Sequence, residues 1–494
     1  MQQTAQSRYE ALKPLREQFL ERARRCAALS LPSLLPPHGY TGIGRVRLPE
    51  PYQGLGARAV VNLSSRLLIA LLPPGQKFFR LQVPPETLVQ AGEDEEDPEI
   101  TNGLAKAETM IQAEIDKRGW RQPTNLILQL LVSTGNAVEY MGDDNRIRVF
   151  RLDQFVVMRD SAGNVIELVI EQRMHPSQLP EEALSLTAAK ATDVEAEVLL
   201  YTWVKRIGKK YAVRQEVEQQ VIKGTEGTFD RNPFNVLRWN SVPGESYGRG
   251  KVEEHMSDLM GLERLTQSVL EGAEMAAKNV MRLSGNAANA KQMERKAKKM
   301  QNGDIIIAEK GELEMMQFAN IAGLNVVSAE IARIEQNLSR AFLMTSSVQR
   351  DAERVTAYEV SIMAEELEGT LGGVYSMLSE DLQLGRISSL IENMQESGSL
   401  PAFDEEMASP VITTGLEALG RSQDVAKVMQ ALQMAPNLPP EAIQEWDFNY
   451  LGKVLMNGLD LPGGILSREE SQARQEQNEI RAAAMSGGGA QPPM

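Results

Sequence analysis

Two long stretches of this chain each carry a single apolar stripe. In the first, Val252, Met256, Leu259, Leu262, Leu265, Val269 and Ala273 recur at helical spacing, up to about Met281. In the second, the series is Leu324, Val327, Ile331, Ile334, Leu338 and Phe342. Apolar residues three or four apart mark the buried face of an amphipathic helix, and ordinary packing is the simplest role for such a face. Between the stripes lie a basic segment, Lys291-Gln-Met-Glu-Arg-Lys-Ala-Lys-Lys299, and two runs expected to be short strands, Asp304-Ile-Ile-Ile-Ala308 and Glu314-Met-Met-Gln-Phe318. Two long helices flanking a small α/β excursion describe a hairpin with a head. That shape predicts an extended object rather than a compact substrate-binding domain.

The rest of the chain is arranged around that hairpin. Leu12, Leu15, Phe19 and Ala23 predict a first helix, stopped at Leu31-Pro-Ser-Leu-Leu-Pro-Pro37 because proline lacks the amide donor and disfavours helix in the residue before it. A second helix is expected from about Gly56 to Leu72, ending at Pro73-Pro74-Gly75. The acidic run Glu93-Asp-Glu-Glu-Asp-Pro-Glu99 reads as an exposed loop without chemistry. From about Arg146 to Trp239 the runs Ile147–Phe150, Phe155–Met158, Val165–Ile170 and Val198–Val204 are β-branched or aromatic and bounded by turn residues, which predicts a strand-rich module with helical insertions such as Pro180–Ala191. After the second stripe, a polar loop Thr345–Arg354 leads to Thr356-Ala-Tyr-Glu359, the pattern of a capping box, and to a third helix through Leu382 that Gly372-Gly373 is expected to kink. A further helical stretch, Ser422–Leu432, precedes Pro436–Pro440, and the Gly- and Pro-rich end from Ser486 reads as a frayed tail.

Composition removes several classes of function. Lys and Arg number 52 against 67 Asp and Glu, a net charge of −15, so the chain as a whole repels a phosphate backbone unless its cations are concentrated in one place. Cys26 is the only cysteine, which excludes an intrachain disulfide and a multi-cysteine zinc site, and makes a reducing compartment the simplest setting. No apolar run reaches the ~18 residues of a membrane span, and the polar N-terminus lacks a secretory signal. A soluble chain without membrane attachment is expected.

Enzyme signatures fail one by one. Gly244-Glu-Ser-Tyr-Gly-Arg-Gly-Lys251 is the nearest approach to a phosphate loop, but Glu245 stands where a glycine should, and Val252 replaces the Ser/Thr that would hold Mg²⁺. The same string contains a G-x-S-x-G pattern at Ser246. Pro243 precedes it and His255 is the one histidine that follows, so a nucleophile elbow is not supported. His38, His175 and His255 are scattered. A metal-dependent nuclease among the carboxylates is a formal alternative, but no catalytic residue, metal ligand or cofactor is expected.

Two basic groups are candidates for contact. Lys291, Arg295, Lys298 and Lys299 share a helical face, with Lys296 beside them, so their charges add. A solvated face, a docking surface for a protein partner and the lining of a DNA path all remain open for this cluster. The second group is Gln349, Arg350 and Arg354, in a stretch that is either a plain interhelical connection or a DNA contact. Neither has interleaved aromatics, so any DNA contact would be to the backbone and insensitive to sequence.

Several strings, taken in order, resemble the portal, or head-to-tail connector, proteins of short-tailed double-stranded DNA phages. They are Leu31-Pro-Ser-Leu-Leu-Pro36; Gly54-Leu-Gly-Ala-Arg58 with Asn62-Leu-Ser-Ser65; Gly244-Glu-Ser-Tyr-Gly-Arg249; Ser346-Ser-Val-Gln-Arg350 with Glu353-Arg-Val-Thr356; Glu366-Leu-Glu-Gly-Thr-Leu-Gly-Gly-Val-Tyr375; and Thr414-Gly-Leu-Glu-Ala-Leu-Gly-Arg421. The basic run Lys291–Lys299 is not among them, so its role rests on charge alone.

The resemblance implies a mixed α+β, mostly helical chain in the portal fold, assembled as a dodecameric ring at one capsid vertex, with DNA passing through its centre. It implies N-terminal helices and a strand-rich α/β wing over 1–250, stem helices at 251–281 and 324–343, and a small α/β clip at 282–323. A channel loop at 344–355, a long wing helix at 356–400, a helical C-terminal crown at 401–470 and a flexible tail at 471–494 complete the division. It further implies a non-enzymatic role in genome packaging and ejection. The partners implied are double-stranded DNA, the terminase motor, tail adaptor proteins, and capsid and scaffolding proteins, with assembly in the bacterial host cytoplasm and residence in the virion. A phage structural adaptor of another fold is the alternative.

Overall fold

A computed structural model describes residues 3–40, 45–74, 77–83, 98–142, 144–189, 196–277, 280–283, 313–316, 321–344, 366–371, 373–401, 409–412 and 427–434, with isolated positions at 291, 294, 295, 363, 446, 451, 452 and 455. The fold is mixed α+β. Helix α1 (Ala5–Leu29) opens on a capping box in which the Thr4 hydroxyl accepts the Ser7 N–H at 3.2 Å. It lies across an antiparallel sheet of strand order β4–β5–β6–β7–β8, with β9 also paired to β7. These strands are β4 (Phe155–Arg159), β5 (Val165–Met174), β6 (Val198–Ile207), β7 (Lys210–Val217), β8 (Gln220–Val221) and β9 (Gly227–Phe229).

The α1 stripe differs from its sequence pattern. Leu15 is 63% exposed, and Arg16 is buried in its place beside Tyr9, Leu12, Leu20 and Ala23. Arg16 tolerates burial because its Nη1 donates to the carbonyls of Asp153 and Phe155, both at 3.0 Å, and to the Tyr9 hydroxyl. The insertion expected over Pro180–Ala191 shrinks to one helical turn, α5 (Glu181–Leu184), within the described residues.

The second layer is built on helices α2 (Leu55–Leu71), α3 (Pro98–Arg118) and α4 (Arg121–Thr134). A three-stranded sheet joins them, in the order β10–β2–β3, made of β2 (Asn136–Met141), β3 (Ile147–Phe150) and β10 (Phe234–Arg238). Strand β1 (Phe79–Gln82) pairs with β13 (Ser409–Ile412), which carries the chain beyond residue 400 back to the N-terminal half. The largest core cluster draws on α2, α4 and residues 367–382, and includes Leu63, Leu67, Leu128, Leu131, Leu367 and Leu378.

The third helix is not continuous. Residues 366–371 are helical and Gly373 then adopts φ +88°. After it come α9 (Val374–Leu378), a π-helical turn (Ser379–Leu384) and α10 (Gly385–Glu396). The expected break at the glycine pair is present; the π turn had no sequence signal. The Thr356 capping box and the run Asp304–Ala308 lie outside the described residues.

Across this layer runs an ion pair that both partners bury. Arg386, 4% exposed, meets Glu139, 3% exposed, with Nε 3.0 Å from both carboxylate oxygens, and its Nη1 donates to Thr124 Oγ1 at 2.7 Å. Asn235 Nδ2 donates to the same carboxylate at 3.0 Å. One contact therefore joins α10, β2, α4 and β10. Removing one member strands a buried charge, which costs about 3–5 kcal/mol, whereas replacing both with apolar residues is often far less harmful. Glu139→Ala should lower the denaturant midpoint sharply, and Glu139→Met with Arg386→Met should recover most of the loss. Equal midpoints for Glu139→Ala and the unmodified chain would contradict this role.

Candidate functional site

The strongest candidate is the helix pair singled out by the two stripes, together with the root that holds it. The first partner is α6 (Lys251–Glu254) and α7 (Met256–Ala277), separated by a break at His255. The second is α8 (Ile321–Ala341). The first rod was expected to run unbroken to about Met281. It ends instead at Ala277, and Val280–Leu283 forms β11, antiparallel to β12 (Leu313–Met316). At the root His255 lies 5.4 Å from the Phe342 ring, and further along Gly261 faces Ile334, so the two helices run in opposite directions.

Burial along the pair is graded. Val252, Leu259, Leu262, Leu338 and Phe342 are fully buried at the root. Leu265, Val269, Val327 and Ile331 are only half-buried, and Leu270 and Val326 are 52% and 71% exposed. Among the described residues, the outer part of the pair is therefore covered by little besides its own partner helix. Its polar face is acidic in the first rod, with six acidic residues against two basic ones from Lys251 to Ala277.

The root is fixed by the Gly244–Gly250 string. Gly135 ends α4 at φ +79°, and a Cβ there would lie 2.4 Å from the Gly250 amide nitrogen; a Cβ on Gly250 would meet the Ser133 carbonyl at 2.8 Å. Only glycine permits backbones this close. Asn136 clamps the string from below, with Nδ2 donating to the Gly248 carbonyl at 2.8 Å and Oδ1 accepting the Gly248 N–H at 2.7 Å. The buried Tyr247 hydroxyl accepts the Val157 N–H at 3.1 Å. Arg159, at the point where the β4–β5 register shifts past Ile166 of β5, donates to the carbonyls of Ser246, Gly163 and Val236. Burial pushes its guanidinium down to about 10, and the neighbouring Arg238 adds to the effect. Ser246 thus belongs to a joint between the two sheets and the first rod.

Charged side chains gather at this joint, where Arg249 pairs with Glu245 at 2.7 Å and with Glu253 at 3.6 Å, and Glu253 pairs with Arg22 of α1 at 3.3 Å. Lys291 and Arg295 are helical and exposed. Lys296, Lys298, Lys299, Gln349, Arg350 and Arg354 lie outside the described residues. Among the described residues no group of three His, Cys, Asp or Glu side chains could hold a metal ion, and no helix is long and apolar enough to cross a membrane. Two contacts had no local sequence signal because their partners are far apart in the chain. Glu263 on α7 accepts the N–H groups of Tyr52 and Gln53, and Asn62 on α2 reaches the end of α8.

The model for bacteriophage head to tail connecting proteins matches residues 2–466. This chain belongs to that family. Such proteins are structural connectors, not enzymes. The portal protein of Enterobacteria phage T3 is 32% identical over 98% of this chain and 93% of its own length. Those of Escherichia phage T7 and Pseudomonas phage phiKMV are 31% and 30% identical, covering 98% and 94% of this chain and 92% of each relative. Among solved structures, the neck of an empty gene transfer agent particle aligns at 12% identity and a TM-score of 0.42, over 84% of this chain and 94% of the other.

His255 offers a probe of the root. Burial lowers its pKa, Lys251 acts in the same sense, and Glu254 and Asp258 oppose them. A depressed histidine pKa means that the folded state prefers the neutral ring. Stability is therefore full above the ordinary value of 6.5 and falls as pH drops through it towards the folded value. The denaturant midpoint should fall as the pH is lowered from 7 through the ordinary histidine value of 6.5, and His255→Gln should remove that part of the fall. Superimposable pH profiles would contradict the assignment.

Proposed function

We propose that this chain is the repeating subunit of a portal ring at the capsid vertex, through which double-stranded DNA enters during packaging and leaves during ejection. The observation that carries this reading is the antiparallel helix pair whose apolar stripes change from buried to half-buried along its length, with exposed Leu270 and Val326 beside them. A chain of this family that leaves such a face open has a natural solution in a repeated head-to-tail contact, which closes when the rotation per subunit divides a full turn. In this reading α6–α7 and α8 are the stem and the segment around β11 and β12 is the clip. The two sheets with their helices form the wing, and the chain from about 401 contributes to the crown.

Charge supports a conduit. Each chain carries −15, so twelve copies would carry about −180, a field that disfavours DNA adhesion. Where contact is needed, a ring of Gln349, Arg350 and Arg354 supplies phosphate partners at many angular positions without reading sequence. Lys291, Arg295, Lys296, Lys298 and Lys299 suit an acidic face on the packaging motor and, later, on the tail adaptor. Assembly with capsid and scaffolding proteins in the host cytoplasm completes the proposal.

Replacing Leu270 and Val326 by Asp should leave the subunit's circular dichroism unchanged and abolish ring formation in sedimentation, because the exposed apolar positions on the stem would face a neighbouring copy. Rings of normal mass from that variant would refute the stem assignment. Replacing Arg350 and Arg354 by Ala should leave the ring intact and increase DNA loss from filled particles. Packaging and retention equal to the unmodified protein would remove these residues from the channel.

A further inference from the structure

The first rod is interrupted. At His255 the backbone leaves helical geometry, with φ −109° and ψ 16°, between the single turn α6 and the long α7. The joint at Gly244–Gly250 lies on the α6 side of this break, so by itself it does not set the direction of α7. Burial of Leu259 and Leu262 stabilises α7 against the core, but apolar burial is non-directional. Directional contacts across the break are needed to hold the angle.

Helix α1 supplies them. Its last two turns carry Arg22, Arg25 and Leu29, three and four residues apart and so on one side. Arg22 Nη1 pairs with Glu253 of α6 at 3.3 Å, before the break. Arg25 Nη2 reaches the Met260 sulfur at 3.6 Å, beyond the break. The Leu29 carbonyl is one of the acceptors that a helix end leaves unmatched, and it takes a hydrogen bond at 2.7 Å from Gln53 Nε2. Gln53 in turn is bound to α7: its own N–H and that of Tyr52 donate to the Glu263 carboxylate at 3.2 and 2.9 Å. The contacts follow the same order on both sides, with 22, 25 and 29 on α1 matched to 253, 260 and 263 on the rod. Helix α1 therefore runs alongside the rod, in the same direction, across the break.

Gln53 is placed to make this link. It is 6% exposed, and its Oε1 accepts the Gly56 N–H at 2.8 Å in the first turn of α2, where Gly54 at the cap has no side chain to offer. One residue thus ties the end of α1, the start of α2 and the flank of α7. The approach is close: a Cβ on Gly56 would lie 2.1 Å from the Leu29 carbonyl oxygen, so only glycine fits. The end of α1 is itself held, since Ser30 Oγ and Ser133 Oγ of α4 are hydrogen-bonded at 3.0 Å.

We propose that α1 is a splint across the break at His255, with Gln53 and Glu263 as the positioning residues that set the angle at which α7 leaves the rest of the chain. The splint lies within one chain; its consequence for assembly rests on the reading of α7 as the stem of a ring. Glu263 stands eight residues past His255, about 12 Å along the rod, and about 21 Å of α7 extends beyond it to Ala277. A tilt left free at Glu263 is magnified at that end. In a ring the tilt fixes where each copy meets the next, and with it the rotation per subunit.

The test uses the full chain as dissociated subunits, with spin labels introduced by Ser268→Cys on α7, Gln220→Cys on β8 and Lys209→Cys between β6 and β7, all exposed positions. Cys26, 1% exposed, stays unlabelled. The 268–220 pair reads the distance from sheet to rod, and the 209–220 pair reads the sheet alone. Gln53→Glu keeps the acceptor for Gly56 but removes the donor to Leu29. Glu263→Ala removes both acceptors on α7, and Glu263→Gln keeps one. Hydrogen exchange at the Tyr52 and Gln53 amides should rise about tenfold in Glu263→Ala. The sheet-to-rod distance should broaden in Gln53→Glu and Glu263→Ala, and by less in Glu263→Gln, while the distance within the sheet stays as it was. Raised exchange with an unchanged sheet-to-rod distance overturns the splint, and so does equal broadening of both distances. Broadening in the Glu263 variants but not in Gln53→Glu removes α1 from the role. If Glu263→Ala does not fold, Glu263→Gln decides, and a distribution identical to that of the unmodified chain overturns the proposal.

Ring mass separates the splint from the ring. Variants that broaden the sheet-to-rod distance and assemble into rings of mixed copy number support both. If unmodified subunits form no rings while the variants still broaden the distance, the splint stands and the ring reading falls. If unmodified subunits form uniform rings and the variants change neither distance nor ring mass, the ring stands and the splint falls.

Discussion

An amphipathic helix hairpin cannot bury its whole apolar face by itself, and the rest of this molecule follows from that limit. Near the root, Leu259 and Leu338 vanish into a core built by α2 and α4, where each buried side chain contributes about 1.5–3 kcal/mol. Farther out, the stripe has no such core to meet: Leu265, Val269, Val327 and Ile331 are only half-buried, and Leu270 and Val326, beside the stripes, stay open. In the proposed ring of this head-to-tail connecting family member, the missing cover is another copy of the same chain.

If neighbouring copies complete the pair, its root must hold a direction, since a small change of angle at the base is magnified at the tip. The chain meets this requirement with short-range, directional contacts. Glycines at 135 and 250 let two backbones touch. Asn136 uses both ends of its amide on the backbone of one residue, Gly248, and Arg159 spreads a single guanidinium over three carbonyls. The buried pair of Glu139 and Arg386 locks the third helix onto the same layer. Such contacts are costly to leave unmade, and they favour one arrangement over its competitors.

Much of the architecture was legible because it rests on periodicity. The two stripes follow residue spacing, the first helix stops at the prolines of Leu31–Pro37, and the strands from Ile147 to Val204 follow β-branched and aromatic runs bounded by turn residues. What escaped was set by distant partners. Leu15 fits the apolar spacing of α1 but faces outward, because Arg16 finds three carbonyls that no local pattern announces. Strand β2 hides a glutamate at a core position, which spacing reads as polar and exposed; its partner Arg386 lies 247 residues away. The first rod stops at Ala277 since the next residues are claimed by pairing with β12, a tertiary choice. The Gly244–Gly250 string carries no intact phosphate-loop or nucleophile-elbow signature. Its mechanical role depends on Gly135 and Asn136, more than a hundred residues upstream.

The central claim is that the open outer face of the helix pair is covered by a neighbouring copy. Hydrogen exchange compared between dissociated subunits and assembled particles measures this directly. The account predicts that protection rises on assembly over residues 264–277 and 325–334, while the root around Leu259 and Leu338, already buried in the single chain, changes little. Equal exchange over the outer segments in both states would contradict it.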